Sequence, residues 1–144
     1  MSGIRPFRIR PGHIMLNADG GETSLVGLEL SISVAAEAAN VIAATVSIVD
    51  AAGNEVSEQF AAKLSLVDGN ADATNPGSAF EMDVTTGTGI TAGTQDSMLI
   101  TSTAAGSIVI DITDVAGASG ATVYLIAEPI NINAAPAYSA VTFD

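Results

Sequence analysis

Few of the side chains that perform catalysis or hold metals occur in this chain of 144 residues. It has no Cys, which excludes thiolate nucleophiles, thiolate metal sites and disulfides. Its one His, His13, excludes a two-histidine metal motif. One spacing suits a hard cation: Asp68, Asn70 and Asp72 are placed like the first three oxygen ligands of a calcium loop. The motif then breaks, because Ala73 replaces the turn Gly and Ala79 replaces the bidentate Glu. Asp, Asn and Gly are also the ordinary residues of turns. The expectation is that neither a metal nor a cofactor is needed. Glu81 and Asp83 share one face if their segment is a strand, and a glycosidase needs two such carboxylates. A carbohydrate cleft also wants aromatic platforms, and the chain has no Trp and two Tyr, Tyr124 and Tyr138. A solvated strand face accounts for both acids. There is no G-x-S-x-G nucleophile elbow. Gly87-Thr88-Gly89 fits neither phosphate-loop pattern and has no Lys beside it. The expected class is not an enzyme.

The residues that stand apart are the cations. Arg5, Arg8 and Arg10 are three of the four basic residues, and no acid lies in residues 1–13, which carry +3. Residues 14–144 hold Lys63 and all sixteen acids, −15, and the whole chain is −12. Pro6 and Pro11 fix φ and remove donors, so residues 1–24 are expected to form an extended basic arm. In such an arm Arg5, Arg8 and Arg10 can pair with a partner's carboxylates while Phe7 and Ile9 fill shallow pockets. A frayed terminus, or an arm folded back on its own acidic body, are the alternatives.

The body must position whatever the arm does not supply. Hydrophobic residues make up 48% of the chain and charged residues 14%, against roughly 25% charged in soluble proteins, so disorder is excluded. The acidity excludes phosphate-driven nucleic-acid binding. The longest apolar run, Val41 to Val49, is about half of the ~20 residues that a spanning helix needs. No apolar segment follows the N-terminal arginines, so neither a membrane span nor a signal peptide is expected.

Alternation of apolar and polar residues predicts strands at 28–34, 41–49, 60–67, 80–84, 98–103, 108–113, 122–127 and 138–143. The β-branched run 41–49 is expected to be buried on both faces. Two hairpins are predicted, 41–49 with 60–67 and 98–103 with 108–113. Ala35 to Asn40 predicts at most a single helical turn, and Pro129 is expected to stop the strand before it. These elements give one all-β domain over residues 25–144. It is an immunoglobulin-like or jelly-roll-type sandwich of about eight strands, preceded by the arm. A core poor in aromatics and a surface poor in charge favour further burial by self-association, with a trimer preferred.

Three stretches, in order, carry a family resemblance. They are Ala39-Asn40-Val41-Ile42 with Asp50-Ala51-Ala52-Gly53-Asn54, Ile110 to Asp114 with Gly117-Ala118 and Thr122 to Leu125, and the closing Ala140 to Phe143. Together they resemble small immunoglobulin-like β-sandwich virion proteins of tailed bacterial viruses. The resemblance covers about residues 35–144 and leaves out the arm. It includes no catalytic residue and lacks the Cys–Trp–Cys signature of antibody domains. It implies a structural protein of a phage particle, assembled in the host cytoplasm and carried on the capsid surface. A capsid decoration (cement) protein would lay its arm on the major capsid protein or on a neighbouring copy. A head-fibre or tail appendage module binding a host surface is the alternative. A bacterial adhesion module is a third, which the missing signal peptide disfavours.

Overall fold

The computed structural model describes residues 27–67, 80–89, 97–117 and 120–144, together with the backbone pairing of 14–16 and 22–24. Within the expected arm, β1 (Ile14–Leu16) and β2 (Glu22–Ser24) form an antiparallel ribbon, so the end of the arm doubles back where a single extended segment was expected.

The body is an all-β sandwich, and none of the described residues is helical. None therefore forms a helix long and apolar enough to cross a membrane. One sheet has the order β3 (Glu29–Val34), β4 (Val41–Val49), β9 (Ser107–Asp114), β6 (Phe80–Thr86). The other has the order β11 (Ala137–Thr142), β10 (Thr122–Pro129), β5 (Ala61–Val67), β8 (Ser97–Thr101), β7 (Thr88–Gly89). All eight predicted strands are present, and the two-residue β7 is an addition.

The strands form because their alternation gives each sheet one apolar face. Ile42, Ala44, Val46 and Ile48 of β4 and Ile108, Ile110 and Ile112 of β9 meet Leu64 and Leu66 of β5 and Val123 and Leu125 of β10. Phe60, Phe80 and Phe143 complete this cluster, with the rings of Phe80 and Phe143 5.7 Å apart and tilted.

Two expectations are corrected. First, β4 is buried on one face only. Val41, Ala43, Thr45, Ser47 and Val49 are half-exposed, because no described element packs on the outer face of their sheet. Second, neither predicted hairpin forms. β4 pairs with β3 and β9, while β5 pairs with β10 and β8. The reversals at 50–60 and 102–106 therefore carry the chain across to the facing sheet, about 10 Å away. Ala35 to Asn40 holds a single turn, which is not helical. Ala39 and Asn40, at φ 53 and 65, form a two-residue hairpin loop between β3 and β4. The Ala38 N–H donates to the Val41 carbonyl (2.9 Å) and the Val41 N–H donates back (3.0 Å). Two positive φ values are what a type I′ turn requires. Helix propensity lost because both flanking strands bury core residues. Pro129 ends β10, as expected. It stands opposite Ala62 of β5.

Both sides of the sandwich are spanned by chain that changes sheets. On one side Ala135 bridges to β3: the Leu30 N–H donates to its carbonyl (2.9 Å) and its N–H donates to Leu28 (3.0 Å). Two residues later the chain enters β11 of the other sheet. On the opposite side β6 passes through Gly87 into β7, again changing sheets. Gly87 has φ 111, and a Cβ there would lie 2.8 Å from the Thr101 carbonyl oxygen.

Candidate interaction surfaces

The two ends of the sandwich gather turns, and the carboxylates of Asp50, Asp114 and Glu37 bond backbone there. Asp50 Oδ1 accepts from the N–H groups of Ala52 (2.9 Å) and Asn54 (3.0 Å). Asp114, buried at the end of β9, accepts from Ala116 and Gly117 at 3.0 Å each. The Asp114 N–H donates to the Asn40 carbonyl (2.9 Å), tying the β9–β10 turn to the β3–β4 loop. The Asp144 N–H donates to Glu37 Oε2 (2.6 Å) at the same end. At the other end, Ser102 Oγ accepts from the Phe60 N–H (2.9 Å) and donates to the Thr103 carbonyl (2.9 Å). These groups order turns, as Asp and Ser commonly do.

Asp68, Asn70 and Asp72 lie outside the described residues, in the connection between β5 and β6. Arg5, Phe7, Arg8, Ile9, Arg10 and His13 lie outside them too. Among the described residues no group of three or more His, Cys, Asp or Glu could hold a metal ion.

Glu81 and Asp83 do share the outward face of β6. Asp83 stands directly opposite Asp111 of β9, and Glu81 opposite Thr113. The row through Asp83 and Asp111 continues to Ala43 on β4. Sequence reasoning missed Asp111 as a partner of Asp83, because register between distant strands has no local signal. Asp83 is exposed and Asp111 half-exposed, on a sheet face whose other described residues are mainly Ser, Thr, Ala and Val. A pair so open to water has neither the desolvation nor the cleft that carboxylate catalysis uses.

The outer face of the five-stranded sheet differs. Tyr138 of β11, 58% exposed, is paired with Ile126 of β10, and Tyr124 pairs with Ala140 one step along. Beside them Glu128 is opposite Lys63, and Lys63 is opposite Leu99. This mix of aromatic, aliphatic and paired charged residues suits contact with another surface.

No family model and no curated protein matches the sequence. Among solved structures the chain is similar to a cohesin module from a Clostridium perfringens ATCC13124 family 33 glycoside hydrolase. The identity is 11%, the coverage 82% of this chain and 97% of that one, and the TM-score 0.45. It is also similar to the GAE domain of GGA2p from Saccharomyces cerevisiae, at 12% identity, with 81% of this chain and 86% of that one covered and a TM-score of 0.34. Neither likeness bears on what this chain binds.

Proposed function

We propose that the protein is a structural component of a tailed-phage particle, a capsid decoration protein held on the assembled head by its basic arm and by sandwich contacts. The observation that carries this reading is the division of charge, +3 in residues 1–13 against −15 in the remainder. Support comes also from the sandwich, whose described acids cap turns or lie on open sheet faces rather than converging on a reaction centre. The resemblance noted in the sequence rests on residues of β4, β9, β10 and β11 and the turn after β4.

Binding acts by mass action: a protein that binds only the assembled shell stabilises that shell. Many copies, each weakly held, act together through multivalency. The acidic surface that receives the arm belongs to the major capsid protein or to a neighbouring copy, and a trimer is the assembly proposed. No nucleic acid, membrane or cofactor enters this reading.

The test uses phage heads lacking the protein. The full chain should decorate them in hundreds of copies, an order of magnitude set by shell multivalency. The variant Arg5→Ala, Arg8→Ala, Arg10→Ala should stay folded, bind far more weakly and lose most of the salt dependence. Equal decoration by the variant would overturn the role of the arm. One observation favours a second reading, a head-fibre or tail module binding a host surface. It is the exposed Tyr138 beside Ile126 and Tyr124 on one sheet face. A few copies per particle, and host binding lost in Tyr138→Ala, would select that reading.

A further inference from the structure

Strand β6 and the arm have matching patterns. β6 is the last strand of its sheet, paired with β9 on one side and with no other described strand. Its inward residues are Phe80 and Met82, both buried, and the half-buried Val84. Its outward residues are Glu81 and Asp83. Asp83 faces Asp111 directly, and like charges directly opposite destabilise a sheet. The next residue of that row is Ala43, so among the described strands no cation offsets the pair. Lys63 lies on the other sheet, and the remaining basic residues are Arg5, Arg8 and Arg10.

Phe7-Arg8-Ile9-Arg10 alternates with the period of a strand and is bounded by Pro6 and Pro11. Proline is accepted at strand ends and at sheet edges. Laid beside β6 in either direction, these residues put Phe7 and Ile9 on the side of Phe80, Met82 and Val84. Arg8 and Arg10 then stand on the side of Glu81 and Asp83, next to the Asp83–Asp111 pair. Strand addition of this kind takes affinity from main-chain hydrogen bonds and specificity from the alternating side chains.

We infer that residues 7–10 of one copy add to the β6 edge of a neighbouring copy, extending its four-stranded sheet by one strand. The inference rests on the reading of the arm as an attachment element and names the surface that receives these residues. The donor is named as a second copy from the self-association expected of a surface poor in charge, and the arm joins the sandwich ahead of β3, the opposite edge of the sheet from β6. A neighbour that sets its β3 side against this β6 edge delivers its arm there directly. Such head-to-tail contacts close into rings when the rotation permits, and a trimer is one such ring.

The experiment uses the isolated protein, without particles. Sedimentation at micromolar concentration should show an oligomer for the full chain and a monomer after deletion of residues 1–12. Matching near-ultraviolet spectra and cooperative melting of the two confirm that the sandwich is intact in both. Amide hydrogen exchange at Phe80, Met82 and Val84, whose N–H groups point away from β9, should be slower in the full-chain oligomer than in the truncated form. Arg8→Asp with Arg10→Asp should weaken self-association about tenfold or more, the scale of two charge-assisted pairs lost. Adding Asp83→Arg to that variant should restore part of it. A full chain that is monomeric, an oligomer unaffected by the deletion, or β6 protection that persists on dilution to monomer would each overturn the inference. Particle binding is measured separately. Arginine-dependent decoration by a protein that fails these tests leaves the decoration reading standing.

Discussion

Asp114 and Gly87 show how much of this molecule is decided at single positions. The buried Asp114 carboxylate accepts from two backbone N–H groups of the turn that follows β9. Asp114→Ala should leave the Ala116 N–H without its acceptor and Gly117 with only its 3.2 Å bond to the carbonyl of residue 114, and cost about 1–2 kcal/mol. Asp114→Asn, which keeps one acceptor oxygen, should cost less. Urea denaturation of the two variants checks the order. Gly87 and Gly53 both have positive φ, 111 and 85. A Cβ at Gly87 meets the Thr101 carbonyl oxygen at 2.8 Å, whereas at Gly53 nothing lies within 4 Å. Gly53→Ala should therefore cost about 1 kcal/mol from conformation alone. Gly87→Ala adds a backbone clash and should reach about 3 kcal/mol. Equal costs would show that the path between the sheets relaxes freely. Ala39 has the opposite sign. At φ 53 its Cβ is strained, so Ala39→Gly should hold or raise the melting temperature, where Ala→Gly in an ordinary strand lowers it.

At the scale of elements, the informative features are the places where chain leaves one sheet for the other. Unpaired edges invite strand addition, and proteins cover or interrupt them. Ala135 covers the start of β3 with two hydrogen bonds before the chain turns into β11. Ala135→Pro removes the donor to Leu28. It should lower stability by about 1 kcal/mol and speed exchange of the Leu30 amide, read by hydrogen exchange. Exchange at Ile110, in the centre of β9, should change only through global stability. The eight principal strands were legible because each alternates clearly, β9 most of all with Ile108, Ile110 and Ile112 inward. Their partners were not legible. A turn such as Asp50 to Asn54 announces that the chain reverses, and either sheet can receive it. Glu81 and Asp83 were legible as one face of β6, while Asp111 beside them depends on a pairing across 28 residues of chain.

For the whole molecule the governing quantity is charge. The truncated chain lacking residues 1–12 keeps all sixteen acids and only Lys63 among its Lys and Arg residues. Its self-repulsion is screened as ionic strength rises from about 0.01 M to 0.15 M, since the screening length falls from roughly 30 Å to roughly 8 Å. Its melting temperature should rise by a few degrees over that range. Self-association of the full chain should weaken over the same range, because screening there acts on attraction. Two opposite salt responses are expected, one read by calorimetry and the other by sedimentation. Matching signs would mean that the arginines do not hold the oligomer together.

The alternation of side chains and the turn residues together determined an all-β sandwich near residues 25–144, because period-2 patterning acts locally and needs no knowledge of partners. The charge division and the alternation of residues 7–10 are likewise properties of the chain alone. Only the tertiary structure decided that β4 and β5 lie in different sheets and that Ala39 and Asn40 make a hairpin loop. It alone placed Asp83 opposite Asp111 and left β6 at the edge of its sheet. The physical reason is that strand pairing is settled by burying both apolar faces at once. That is a property of all nine strands of the sandwich together, and it outweighs the local preferences of any one segment.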